Sequence, residues 1–573
     1  MQAKSYPTAI LVPLAVVACV IPTHIALSIS PSATLFNQLA AIAAWGVLAA
    51  MLSARASLGS GGFAALMALG VMLLASGLSA VWYQQPVSLV MESVGMLVAA
   101  TVCFLGGIAA RDQIKNVVVA ISIGMVLAGL LSFVLSLLQV YFPQFTDGDW
   151  IAHSGVVGRA VGNMRQPNHL SSLLLWSCIA SVALAELTRL PRGLLWALLA
   201  MFVFGVVLSA SRTGLIGIVI LALWGLADQF FDKRLSGISR LALVATIAML
   251  AASMGLEHLW ADAGVSQFGA ASRLTSEGAG SPSRIAILSN AWALLKANPL
   301  SGVGWGEFNL AWTLTPFPDR PIAFFDHTHN IVMQWLVEMG VPMGGLVLVL
   351  LSYAIVKAFV QTGQTDGETG VALRAAFMMV IMIGLHSLLE YPLWYAYFLM
   401  PTAMLLGICL SAEAINEKPL LTMPAWTLQV GGFVLVAGSA FALYDYLQVA
   451  SIFQAEDGAP PLEERIARGQ RSPFFSVHAD YAGATSYDPS AQTLQAAQKT
   501  GHNLIDARLM MAWAKSLHVT GQTDKARFLV QRLREFRNAE AKEFLAECEG
   551  ASTPKPFQCE PPQQFWKPSD FRR

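Results

Sequence analysis

Charge is what this sequence has least of. Only 12% of its 573 residues are Asp, Glu, Lys or Arg, while 55% are hydrophobic. Soluble domains carry about 25% charged residues, so half the charge of an ordinary soluble surface is missing. Neither sign is in excess: Lys+Arg and Asp+Glu balance at 35 each. No basic face is therefore on offer, and no nucleic-acid partner is expected. Cysteine is sparse as well. Of six, Cys19, Cys103, Cys178 and Cys409 fall inside apolar runs, where a thiol acts as a small apolar filler. No CxxC and no Cys/His pair has metal-ligand spacing, so neither a metal nor another cofactor is expected. The glycine run Gly302-Val303-Gly304-Trp305-Gly306 is not followed by Gly-Lys-Ser/Thr. That excludes a phosphate loop and leaves a tight turn on a membrane surface.

Long apolar runs are what the sequence does have. About thirteen are present, near 9–29, 36–53, 63–82, 88–110, 117–142, 169–187, 194–210, 213–230, 241–258, 331–356, 375–390, 393–411 and 425–446, most of them long enough to span a hydrocarbon core. Open backbone cannot sit in lipid, so each run is read as a helix. The fold class is an all-α polytopic membrane protein of 12–13 transmembrane helices. The run after Met1-Gln2-Ala3-Lys4 exceeds a signal-peptide core and more spans follow at once; it reads as an uncleaved first span. The weakest division is between 194–210 and 213–230, parted only by Ser211 and Arg212.

Orientation follows from where the cations fall. With the N-terminus in the cytoplasm, the cytoplasmic loops hold Lys4, Arg55, Arg111 with Lys115, Arg189 with Arg192, Lys233 with Arg234 and Arg240, Lys357 with Arg374, and Lys418. The outer loops near 30–35 and 83–87 hold none. Residues 1–446 then form a transmembrane catalytic domain with large outer loops at 143–168 and 259–328. Residues 447–573 form a periplasmic helical domain, and the chain sits in a bacterial inner membrane. Within that tail, 504–536 read as a helix, a turn at Gly521 and a second helix, with Ala512, Ala514 and Ala526 where the two cross. This resembles one tetratricopeptide-like hairpin. Cys548 and Cys559 would face an oxidising space there, a setting for a disulfide.

Some outer cations need a reason to be there. Long loops translocate regardless of charge, which accounts for Arg273, Lys296 and Arg320. Arg212 is different, because a charge tucked between two spans is costly and marks function by default. The densest polar cluster is Asp326-His327-Thr328-His329-Asn330, directly before the run from Ile331. Asp326, Thr328 or Asn330 suits an ordinary helix cap, which leaves two histidines over. Spaced i, i+2 they share no helical face, so a helical two-His metal site is not expected. A base or hydrogen-bonding role stands beside the cap reading. Arg165-Gln166-Pro167-Asn168-His169, Ser209-Ala210-Ser211-Arg212, Ser281-Pro282-Ser283-Arg284 and Glu390-Tyr391-Pro392 fall on the same face.

Taken in order, RQPNHL, SASRTG, SRIAILSNAWALLKANPLSGVGWGEF, HTHNIVMQWLVEMG and LLEYPLWY resemble the bacterial O-linking protein oligosaccharyltransferases, within the superfamily of O-antigen ligases and polymerases. The likeness runs from about 160 to 400, and more loosely into the tail. One departure is visible: in the ligase pattern a Gly-x-x-Gly follows His-Asn, but after Gly340 the next glycine is Gly344, one place late, with Pro342 between.

The resemblance implies transfer of an oligosaccharide from a polyprenyl-diphosphate lipid to Ser or Thr hydroxyls of a periplasmic acceptor protein such as pilin. Arginine forks match phosphate oxygens, which makes Arg212 and Arg284 the expected diphosphate clamp, with Arg165 as a third member. His329 aligns with the family histidine and is the expected base, with His327 and His169 in reserve. Asn330, Gln166, Asn168 and Glu390 are supporting residues. The alternatives are an O-antigen ligase acting on lipid A-core, an O-antigen polymerase and, more distantly, a transporter of the lipid-linked glycan; the absence of repeated halves speaks against transport.

Overall fold

The computed structural model describes residues 8–52, 54–156, 158–232, 234–262, 282–318, 320–413, 418–549 and 554–572. Lys4, Lys233, Arg273 and Ser281 lie outside the described residues. Each apolar run becomes a helix. The first nine are α1 (Thr8–His24), α2 (Leu35–Met51), α3 (Ser60–Trp82), α4 (Val87–Ala109), α5 (Ile114–Tyr141), α6 (Pro167–Leu187), α7 (Arg192–Leu208), α8 (Arg212–Ala227) and α9 (Gly237–Asp262). Among the described residues of the large loop are α10 (Pro282–Ala297) and α11 (Phe308–Leu314). Then come α12 (Ile331–Gln364), α13 (Gly367–Ser387), α14 (Ala396–Ser411) and α15 (Ala425–Phe453). Among the described residues, eight helical stretches are long and apolar enough to cross a membrane, and four shorter apolar helices, α1, α2, α7 and α14, stand with them. One of the eight, Val87–Tyr141, is divided into α4 and α5 by a 3-10 turn at Ala110–Gln113. The chain is an all-α polytopic membrane protein.

Local chemistry sets the breaks. Ala210 takes a left-handed φ of 47°, a conformation no helix interior tolerates, and Ser211 then caps α8 by accepting from Gly214 N. The division between α7 and α8 is thus real despite its short sequence signal. Arg374, assigned above to a cytoplasmic loop, lies within α13 and is buried, donating to the carbonyls of Thr362 and Thr365. A guanidinium is long enough to reach the unpaired last carbonyls of the preceding helix, so the helix begins earlier than the apolar run.

The main core joins α1, α2, α4 to α8, α13 and α14, with α6 buried along almost its whole length. Helices α4 and α14 touch at glycine: a Cβ on Gly107 would lie 2.1 Å from the Met404 carbonyl oxygen. Such close crossing is what small residues permit in membranes. Strands β1 (Ala56–Leu58) and β2 (Leu421–Met423) pair antiparallel.

Helix α12 is broken. Gly340 leaves helical geometry at φ 71°, ψ 172°, and Pro342 cannot donate to continue the ladder. The break lets the glycine loop slide in: Val303 N donates to Val337 O, Gly304 N to Glu338 O and Val341 N to Pro299 O. A Cβ on Gly340 would stand 2.4 Å from the Leu300 carbonyl oxygen, and one on Gly344 2.7 Å from that of Trp335. The glycine that fell one place late in the ligase pattern is used where the two halves of the bent helix come together.

The last span runs to Phe453, seven residues beyond the boundary expected at 446. Beyond it lie α16 (Leu462–Gly469), α17 (Ser476–Ser486), α18 (Ala491–Thr500), α19 (Ala507–Val519), α20 (Thr523–Phe536) and α21 (Lys542–Ala546). The expected hairpin is α19 and α20, turning at Gly521 with φ 84°. Ala514 and Ala526 are buried at the crossing, as is Trp513. The tail shares one apolar core with the large loop: Ile287, Trp312 and Val337 cluster with Trp513, Leu529 and Phe571. The Cys548 and Cys559 sulfurs stand at bonding distance, with Cα atoms 5.1 Å apart.

Candidate functional site

Four chain segments meet at the top of α6. Gln166 is the N-cap of α6, its side chain accepting from the backbone of Asn168 and His169. Pro167 follows at the first helical position, where its missing N–H costs nothing. Asn168 is thereby aimed outward, and its Nδ2 donates to Glu390 Oε1 at 3.2 Å. Its Oδ1 accepts from Ser211 Oγ at 2.6 Å, and Ser211 Oγ accepts from Ser171 Oγ at 3.0 Å. The start of α8 is thus tied to the start of α6.

Asn330 plays the same part for α12. Its Oδ1 accepts from Met333 N at 2.9 Å, and its Nδ2 donates to the Leu388 carbonyl at 3.0 Å. Just before the cap, His329 takes a left-handed φ of 56°. A non-glycine residue held there is strained by about 1–3 kcal/mol, and such strain gathers at functional sites. Arg165 and Ala210, in the two neighbouring segments, also have positive φ.

Glu390 is the hub. Its Oε2 lies 2.7 Å from His329 Nδ1 and its Oε1 lies 2.6 Å from Arg284 Nη2. Burial opposes ionisation of Glu390. The hydrogen bond and charge of His329, then Arg284, outweigh it and hold the carboxyl below the usual range. An ionised Glu390 only accepts, so the His329 Nδ1 that meets it carries a proton. The side chain of His329 is 18% exposed. Tyr391 and Phe325 flank its ring at 5.1 and 5.7 Å. Burial, then Asp326, pushes the Tyr391 phenol up, so it remains a neutral wall.

The other expected residues fall around this hub. His327 stacks on Tyr391 at 4.3 Å, 3.0 Å from Asp326 Oδ1. His169 is buried beneath, its Nδ1 3.0 Å from the Tyr397 hydroxyl. Arg212 is the first residue of α8, next to Ser211. Arg165 turns away: its guanidinium donates to the carbonyls of Ala26 and Ala33 and to Ser28 Oγ. The structure therefore brings together His329, Glu390, Arg284 and Asn168, and leaves Arg165 on the α1–α2 loop. Among the described residues, no group of three or more His, Cys, Asp or Glu is gathered as a metal ion would need.

Sequence reasoning passed over a second buried polar centre. Glu307, the lone acid of the glycine run, is fully buried. It meets His502 Nδ1 at 2.5 Å, Arg572 Nη2 at 3.2 Å and Gln85 Nε2 at 2.9 Å. Arg320, read above as an ordinary loop charge, is boxed by Trp312, Phe317 and Phe536 and paired with Glu535 at 2.9 Å. Burial pushes its pKa down to about 10 against the pull of Glu535, so it stays charged at neutral pH. An acid set among glycines and aromatics was the one available signal for Glu307; its partners lie too far along the chain to be read.

Comparison with known families gives three matches. A model described as "O-Antigen ligase" matches residues 196–350, and one described as "Protein glycosylation ligase" matches 160–185. A third, "Virulence factor membrane-bound polymerase, C-terminal", matches 374–546. Among curated proteins, the General O-oligosaccharyltransferase of Acinetobacter baylyi is 27% identical over 257 residues, 44% of this chain and 43% of the relative. The ComP-specific O-oligosaccharyltransferase of the same organism is 24% identical over 328 residues, 55% of each chain. The matched region spans about half the length of these relatives or less.

Proposed function

We propose that this chain, similar to O-antigen ligases and protein glycosylation ligases, is an oligosaccharyltransferase: it moves a glycan from a polyprenyl-diphosphate lipid onto Ser or Thr hydroxyls of an exported, pilin-like protein. We place the N-terminus in the cytoplasm of a bacterium, the chain in its inner membrane, and the hub of Glu390 with the tail beyond Phe453 on the periplasmic side. The observation that carries the reading is the bridge His329–Glu390–Arg284, a base and a phosphate-binding group held by one carboxylate.

In this reaction the acceptor hydroxyl oxygen attacks the anomeric carbon as its proton passes to His329 Nε2. The bond between that carbon and the phosphate oxygen breaks, and the lipid diphosphate leaves with the electron pair. A direct displacement of this kind inverts the anomeric centre. Glu390 stabilises the imidazolium that forms. Arg284 spends one Nη on Glu390; a guanidinium has five N–H donors, so others remain for phosphate oxygens. Arg212, at the head of α8, completes the clamp and meets the charge that develops on the leaving group.

The test is cell-free: purified protein, lipid-linked glycan and three acceptors, a pilin-like protein, lipid A-core and free glycan. Glycan on the protein supports the proposal. The match of 196–350 to the O-antigen ligase family favours a second reading, for which label would appear on lipid A-core instead. Label on free glycan would indicate a polymerase, and no transfer to any acceptor would sink the enzyme reading.

A further inference from the structure

Helix α10 has two apolar sides. Ile287, Ala291 and Leu294 point inward, into the core shared with the tail. Outward stand Ile285 (74% exposed), Trp292 (51%) and, just past the helix, Leu300 (77%). Ile285 and Trp292 are two helical turns apart and so lie on one side. Both ends of α10 are pinned to spanning elements. Arg284, in its first turn, meets Glu390 between α13 and α14 at 2.6 Å. Past its last turn, Pro299 O accepts from Val341 N at 2.8 Å.

That second pin gives a depth. From Val341 to Gln364, α12 is helical and apolar. These roughly 24 residues at about 1.5 Å each cover about 36 Å, enough alone to cross a hydrocarbon core of about 30 Å. Leu300 therefore stands where the crossing begins, beside the exposed Val341; Leu346 and Val349 of the span itself are exposed as well. The outward stripe of α10 thus adjoins exposed apolar residues at the head of a candidate span. It combines Ile, Trp and Leu with the exposed Lys296, the make-up of a helix lying in a membrane interface.

We propose that α10 is an interfacial helix, its outward stripe seated among the acyl chains of the leaflet that bounds the site. On the transferase reading, this seat would hold Arg284 at the depth of a lipid-borne diphosphate. Single cysteines at Ile285, Trp292 and Leu300 test it. The four free cysteines are buried and Cys548 and Cys559 lie against each other, so an introduced thiol is the accessible one. The full chain is spin-labelled in lipid nanodiscs, with Val349→Cys as the lipid reference and Phe565→Cys in the tail as the water reference. Relaxation by dissolved oxygen several-fold above that by a water-soluble nickel chelate, matching Val349, is expected for Trp292→Cys and at least one neighbour. A ratio matching Phe565 would mean a wet face open to an acceptor, and relaxation by neither agent would mean a face covered by chain; either result overturns the proposal. The readout is depth rather than turnover, so it can fail while the transferase reading stands, and the reverse.

Discussion

His329 Nδ1 and Glu390 Oε2 lie 2.7 Å apart, across 61 residues of chain. The contact fixes the imidazole tautomer and gives the imidazolium a counter-charge. Replacing Glu390 by Gln keeps the shape, removes the counter-charge and no longer enforces the tautomer, since an amide can donate as well as accept. We expect transfer per folded molecule to fall by on the order of 10²-fold, with abundance nearly unchanged. The sign of the pH effect is set by the depressed carboxyl pKa: the contact is complete above the ordinary glutamate value of about 4.3 and is lost only as pH falls through the lower folded value. Glu390 should therefore contribute no titration between pH 5 and 8. A wild-type turnover for Glu390→Gln in the cell-free assay would remove it from the site.

His329→Ala should stop transfer while lipid-linked glycan accumulates. Loss of a general base costs about 10²–10⁴-fold in rate. Loss of a cap costs about 1 kcal/mol and lowers abundance only modestly; moreover, the cap of α12 is Asn330 and not His329. His327→Ala should do far less, because its imidazole stacks on Tyr391 and meets Asp326 rather than Glu390. Specific activity is the deciding quantity. If His327→Ala loses transfer while His329→Ala keeps near-normal specific activity, the two roles have been exchanged.

The arginines separate by geometry. Arg212→Lys keeps the charge and loses the fork, so transfer should still be impaired. Arg284→Ala should be more severe, since it also strips Glu390 of a 2.6 Å partner. Arg165→Ala should chiefly loosen the α1–α2 loop, where its guanidinium binds carbonyls. Normal glycosylation in Arg212→Lys and Arg284→Ala at matched expression would mean that these cations only decorate loops.

The tail carries a buried acid of its own. Asp480 is pushed up to about 6 by burial, against the pull of Lys499 and the hydrogen bond from Gln470. A raised folded value means stability that is present below about pH 4 and lost as pH rises through about 6. At neutral pH the tail bears the whole cost. Asp480→Asn keeps an acceptor for Gln470 Nε2 and should strengthen the tail by roughly 1–3 kcal/mol at pH 7, with no gain near pH 4. Hydrogen exchange across α17 at the two pH values would read this out, and an equal effect at both would refute it.

Period and polarity made the membrane helices legible. Each of the thirteen apolar runs became a helix among the described residues, because lipid leaves the backbone no other way to satisfy its hydrogen bonds. The hub was legible in its parts: His329, Arg284, Asn168 and Glu390 each stood out at the end of a run. That they share one carboxylate was not, since their segments lie up to 222 residues apart. Tail helices α16 and α17 were missed. SVHADYAGATS over Ser476–Ser486 is too rich in small residues to show a helical face, and its partners come from α15 and α16.

Order of synthesis gives Glu307 a further meaning. The carboxylate leaves the ribosome 195 residues ahead of His502, and Arg572 follows later still. An unpaired carboxylate is costly to bury, by several kcal/mol, so the glycine loop has no reason to close on α12 until both partners arrive. His502 and Arg572, made well after it, are then the latch of a chamber whose walls were laid down before them. Chains stalled ahead of 502 should be cut by added protease within 298–318, where chains that carry both His502 and Arg572 resist, so on the transferase reading the site would wait on residues made long after its own histidine.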